Sequence, residues 1–135
     1  MIEKIEKDGV LYAIIIRHDY EPQATEFFTP KENSMQFGII KHEKGYVEKP
    51  HFHRKRERVI WNTQETLQLV RGEVAIDFYT NEGEKVASTL LETGDAILMA
   101  EGTHAIRVIE DFWGVKVKQG PYISIEEDKA FLEPK

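Results

Sequence analysis

Two histidines one residue apart, His51 and His53, stand in the stretch KPHFHRKRER, with Arg54, Lys55, Arg56 and Arg58 directly behind them. On an extended chain that spacing sends both imidazoles out of one face. Two further ionisable groups fall in phase with apolar residues. Glu65 alternates with Leu67 and Leu69 in ETLQLVR, and His104 alternates with Ile106 and Val108 in THAIRVI. A lone charge on an apolar face costs several kcal/mol unless it is paired or bound to a metal. Four such groups aimed at one interior make a divalent cation the economical explanation. The chain has no cysteine, so any ligand must be nitrogen or oxygen. Three neutral imidazoles and one carboxylate suit Fe(II), Mn(II), Ni(II), Co(II) or Zn(II). They would fill four corners of an octahedron and leave two open for substrate, water or dioxygen.

The basic run has two readings. A charge run of this kind is commonly a solvated loop. Alternatively Arg54, Arg56 and Arg58, with Lys55, form a lip at the mouth of the site and grip a carboxylate, a phosphate or a sugar nucleotide. In a chain of net charge −6, so positive a cluster would also steer an anion toward a metal.

The elements that would carry these groups are short strands separated by turns. VLYAIII at 10–16 is rich in β-branched residues and reads as a strand, as does MQFGIIKH at 35–42. After a turn at Gly45, YVEKPHFH alternates and puts Val47, Lys49, His51 and His53 on one face. RVIWN reads as another short strand. ETLQLVR and EVAIDFY alternate on either side of a bend at Gly72, and TNEGEK is a hairpin turn. VASTLL, AILM, THAIRVIED and FWGVKVKQGPY complete the series. In the tail, Ser124 stands three residues before Glu127, the signature of one short capped helix. Arg107 alternates outward from His104. Gln64 and Gln68 also fall on the outward phase. The pattern predicts an all-β sandwich or barrel.

Composition narrows the class. A chain of 135 residues with 41% hydrophobic and 31% charged residues is one domain by size, spanning 1–135, and large enough for its own core. The acidic balance argues against a general nucleic-acid binder. The longest apolar run is far short of the ~20 residues of a membrane helix. MIEKIEKDG is charged and lacks an apolar core, so the expected location is cytoplasmic.

Two motifs resemble those of the cupin superfamily. Gly45, His51, His53, Glu65 and Gly72 match the first, and Gly94, Ala100-Glu101-Gly102 and His104 match the second. The matched stretch, with motif cores at 45–72 and 94–104, covers 60 of the 135 residues. NTQETLQLVRGEV and VKQGPY are similar to a group of small single-domain cupins. The resemblance implies a double-stranded β-helix, or jelly-roll, barrel with a short C-terminal helix or tail. It also implies His51, His53, Glu65 and His104 as metal ligands, and a homodimer paired through edge strands. The sequence departs from the family at several points. The carboxylate normally follows the second histidine by three or four residues, whereas Glu65 follows by eleven. Glu57 keeps the short spacing but lacks the glycine seven positions on. Ala100 replaces a proline, and Val108 an asparagine.

Such a site favours a metal-dependent enzyme, dioxygenase- or isomerase-like, acting on a small, oxygen-rich and anionic molecule. Glu65 would complete the metal sphere or act as a base. A non-catalytic module that binds a sugar or organic acid is the alternative from another class. A metal-free sugar-nucleotide epimerase or isomerase working by acid–base histidines is a third, and it would need a histidine paired with a carboxylate or a tyrosine.

Overall fold

The computed structural model describes residues 1–135. The chain divides into two compact units, one formed by Met1–Tyr20 with Thr63–Lys135 and the other by Glu21–Asn62.

The first unit is a strongly curled antiparallel sheet, a half-barrel. Its strands are β1 (Ile2–Lys7), β2 (Val10–Ile16), β5 (Glu65–Tyr79), β6 (Lys85–Glu92), β7 (Ala96–Met99) and β8 (Thr103–Lys118). The second unit holds only a two-stranded ribbon, β3 (Glu26–Phe27) with β4 (Gly38–Ile39). One helical turn, α1 (Ile125–Asp128), follows β8.

VLYAIII forms β2 as its β-branched run predicts, and Tyr12 to Ile16 are all buried. β1 was not anticipated. Its charged side chains hide a strand that pairs with β2 and covers one edge. β7 joins β2 to β5. The long β5 organises the rest. Its first residues pair with β7 on one side and with the end of β8 on the other. Its second half pairs with β6 and with the start of β8.

The bend at Gly72 lies inside this continuous strand. Glu65, Leu67 and Leu69 are buried, and so are Val74, Ile76 and Phe78. The interval from Leu69 to Val74 is odd, so a regular strand would turn the second set outward. Register shifts against β8 between Leu69 and Val74 absorb the extra residue, and Gly72 takes a φ of 103°. A Cβ there would lie 2.2 Å from the Asp111 carbonyl oxygen, so glycine is required. The turn after β6 supports the corner. Gly94 N–H donates to the Leu69 carbonyl at 2.7 Å, and Leu69 N–H donates to the Asp95 carbonyl at 2.9 Å.

Side chains from both sets, with Tyr12, Ile15, Leu91 and Ile97, form the core. Asp95, 1% exposed, is held at the rim by four donors. His18 N–H (2.8 Å), His18 Nδ1 (2.9 Å), Arg17 Nη1 (2.9 Å) and Glu92 N–H (2.9 Å) all reach its carboxylate. His18 is therefore a partner of a buried acid.

Several expected strands are absent. Residues 46–53 and 58–62 form no strand, and the one expected over 35–42 shrinks to Gly38–Ile39. Pro50 brings no N–H to a ladder, and no neighbouring strand pairs with this stretch. THAIRVIED and FWGVKVKQGPY fuse into the single β8. The capped helix is present, with Glu127 N–H donating to Ser124 Oγ at 3.2 Å.

Candidate functional site

Glu65 opens β5 and faces inward with Leu67 and Leu69. His104, the second residue of β8, lines the open cleft with Ile106. Ile106 and Val108, expected on a buried face with it, are exposed because no element packs over this part of the strand. The Glu65 and His104 side chains meet: His104 Nε2 lies 2.7 Å from Glu65 Oε1. The other carboxylate oxygen, Oε2, accepts from Lys116 Nζ at 3.2 Å. Burial of Glu65 pushes its carboxyl upward. The hydrogen bond from His104 and the charge of Lys116 outweigh that push and lower it from 4.5 to about 2. Glu65 is therefore an anion at neutral pH, and it accepts the His104 Nε2 proton. In the neutral ring that leaves Nδ1 without a proton.

These groups line a cleft of about 690 Å³ whose floor is the curled sheet. Lys116 and Lys118 from the end of β8 face into it, and Asp128 to Leu132 of the tail form the facing wall. Lys118 Nζ binds Asp128 Oδ2 at 3.0 Å. Arg107 points to the other side of the sheet, as its phase predicts, and binds the buried Asp77.

The remaining candidates lie in the Glu21–Asn62 unit. His51 and His53 are exposed, with ring centroids 5.4 Å apart and planes at 71°. His51 Nδ1 sits 3.0 Å from the Lys49 carbonyl and 3.7 Å from Glu48. Arg54, Lys55, Arg56, Glu57 and Arg58 are exposed as well. Within the first unit the structure brings Glu65 and His104 together, and within the second His51 and His53 are neighbours. No group of three or more metal-ligating side chains gathers anywhere in the chain. The Glu65 carboxylate is engaged by His104 and Lys116.

No protein-family model, curated protein or solved structure matches this chain.

The site therefore has to be read from its own chemistry. Sequence reasoning missed Lys116, Lys118 and Asp128. In VKVK the natural expectation is valines in and lysines out. The half-barrel is open here, so Val115 and Val117 are 54% and 53% exposed while the lysines turn to the cleft. No local signal in the sequence marks these lysines; register brings them to the site, because Lys118 pairs with Glu65 and Lys116 with Leu67. Gln64 also differs from its outward phase. It is 2% exposed, and its backbone N–H donates to the Gln119 side chain at 2.9 Å. Gln68 is exposed as expected.

Proposed function

We propose that this chain is a small enzyme of the cupin kind that moves protons on a small, oxygen-rich, anionic substrate in the half-barrel cleft. The contact between Glu65 and His104 carries this reading. A carboxylate that holds one ring nitrogen fixes the tautomer of the imidazole. It also stabilises the imidazolium that forms when the other nitrogen takes a proton. Lys116 and Lys118 supply positive charge beside that pair, as an enolate or carboxylate requires. A metal-free isomerase or epimerase that works through an acid–base histidine needs that imidazole paired with a carboxylate or a tyrosine.

The test is proton exchange. Sugars, sugar acids and keto acids incubated with the protein in D2O should show deuterium incorporation by NMR in at least one case. His104→Gln should abolish it. A compound that binds tightly with no exchange, and with binding that survives His104→Gln, would make the chain a non-catalytic binding module instead.

A metal-dependent reading, with a dioxygenase- or isomerase-like reaction, rests on the character of the four residues. His51 and His53 form an imidazole pair, and Glu65 and His104 an imidazole–carboxylate pair. Metal content of the purified protein distinguishes it, and the donor set is compatible with Fe, Mn, Ni, Co or Zn. In that case the basic run Arg54 to Arg58 would hold the anionic part of the substrate.

A homodimer is the assembly we propose. The outer edge of β8 pairs with no strand over sixteen residues, and it exposes Val108, Ile109, Val115 and Val117. Unpaired edges of that length are covered or paired in stable proteins. Sedimentation equilibrium would measure it. No helix is long and apolar enough to cross a membrane.

A further inference from the structure

Two lysines face the cleft, and they are not equivalent. The partner of Lys116, Glu65, belongs to the sheet itself, at the start of β5. The partner of Lys118, Asp128, belongs to the tail that walls the cleft. We propose that Lys118 is the anion seat of the cleft, held in reserve by Asp128, and that an incoming carboxylate or phosphate replaces Asp128 and releases the tail segment 124–132 as a strap. The inference rests on the cleft being the ligand site, and needs no particular reaction there.

The strap is built to let go. α1 is a single turn with no buried residue, and its hydrogen bonds are local: Ser124 Oγ accepts from Glu127 N–H, and Ser124 and Ile125 carbonyls accept from Asp128 and Lys129 N–H. Phe131, the largest side chain of the wall, is 86% exposed and contributes little burial. Across the cleft the segment is held by the Lys118–Asp128 pair. Beyond it, Lys135 N–H donates to the Gly83 carbonyl at 3.0 Å, so the far end stays tethered to the hairpin turn. A segment secured by few polar contacts and little apolar area is drawn from the low-stability end of a fold. The lysine is well sited for exchange, with 27% of its side chain exposed against 18% for Asp128.

The chemistry sets the ligand class. Lys118 presents up to three N–H donors and a point charge, and Asp128 uses it through one carboxylate oxygen. A ligand that takes the place of Asp128 must therefore carry an anionic oxygen, as carboxylates and phosphates do. When Asp128 leaves, the wall loses a negative charge while Lys116 and Lys118 remain. The opened cleft is more positive than the closed one, which favours retention of the anion.

The experiment uses the full chain with inorganic phosphate as the probe, and follows phosphate affinity by NMR titration and trypsin cleavage after Lys129. In the wild type, phosphate should bind and should speed that cleavage. Asp128→Asn keeps the shape and removes the charge. It should tighten phosphate binding about three-fold and raise basal cleavage by a similar factor, the scale of a partly exposed ion pair. Lys118→Gln should weaken phosphate at least about ten-fold, and Lys118→Arg should restore it. Wild type that binds no phosphate, Asp128→Asn that binds it no more tightly, or Lys118→Gln that binds it as well as wild type would each overturn the proposal. So would cleavage that is indifferent to saturating phosphate. Proton exchange that fails while these results hold would remove the acid–base reading and leave the anion seat standing.

Discussion

Glu65 and His104 touch at 2.7 Å although the ladder that links them separates them widely. Glu65 pairs in register with Lys118, whereas His104 pairs with Phe78, thirteen positions farther along β5. At ~3.3 Å per residue a flat ribbon would hold the two about 40 Å apart. The contact exists because the β5–β8 ribbon curls back on itself at the bulged corner near Gly72.

Gly72→Ala should therefore act on both stability and the site. The residue would have to adopt a φ of 103° with its Cβ 2.2 Å from a carbonyl oxygen and 2.7 Å from the Phe112 Cα. We expect a loss of about 3 kcal/mol or more by chemical denaturation. In any folded fraction the His104 imidazole resonances should shift as the Glu65 contact loosens. A variant as stable as wild type, with unchanged resonances, would contradict the corner as the origin of the contact.

Asp95→Ala should be among the more damaging single changes. It strands Arg17 and two backbone donors at a buried position. Arg17 also binds Glu3, the Leu90 carbonyl and Thr89, so it ties β1, β2 and β6 together around Asp95. The expected cost is about 3 kcal/mol, read from the midpoint of urea unfolding. Asp95→Asn should recover part of it.

Stability should fall at both ends of the pH range for identifiable reasons. The hydrogen bond to Asp95 raises the His18 pKa above its ordinary 6.5. That contribution is complete below 6.5 and is lost as pH rises through the raised value. The Arg107 hydrogen bond, with that of Ser88, lowers Asp77 below its ordinary 3.8. Its contribution is complete above 3.8 and disappears as pH falls toward the depressed value. In melting curves across pH, His18→Gln should reduce the loss of stability on the alkaline limb. Asp77→Asn should reduce the acidic loss without touching the alkaline limb, the remainder of the acidic limb belonging to Glu65 and Asp95.

Metal dependence separates the two pairs of candidate ligands. His51→Ala and His53→Ala alter exposed side chains outside any strand, so each should change stability by no more than ~0.5 kcal/mol. On the metal-dependent reading both variants lose bound metal, measured by elemental analysis. Full stoichiometric metal in the double variant would remove these histidines from any such site.

The amino-acid sequence determined the local half of this protein. The β-branched run of β2, the alternation of β5 around Gly72, the turn at 80–84 and the Ser124 cap were legible because each is enforced by neighbours a few residues away. The inward phase of Glu65 was legible for the same reason, since its alternation with the buried Leu67 and Leu69 is a local property, whereas Ile106 and Val108 beside His104 are exposed. Other features could not be read that way. Alternation in YVEKPHFH suggested a strand, but a strand needs a partner, and none pairs with it. Lys116 and Lys118 were given no role, because the sequence does not say that the sheet curls and stays open there. Asp128 and Lys118 are close in sequence, yet their placement over Glu65 and His104 depends on where β8 ends against β5. Phase is set residue by residue, whereas curvature accumulates over a whole paired ribbon, so only the tertiary structure decided which inward groups meet.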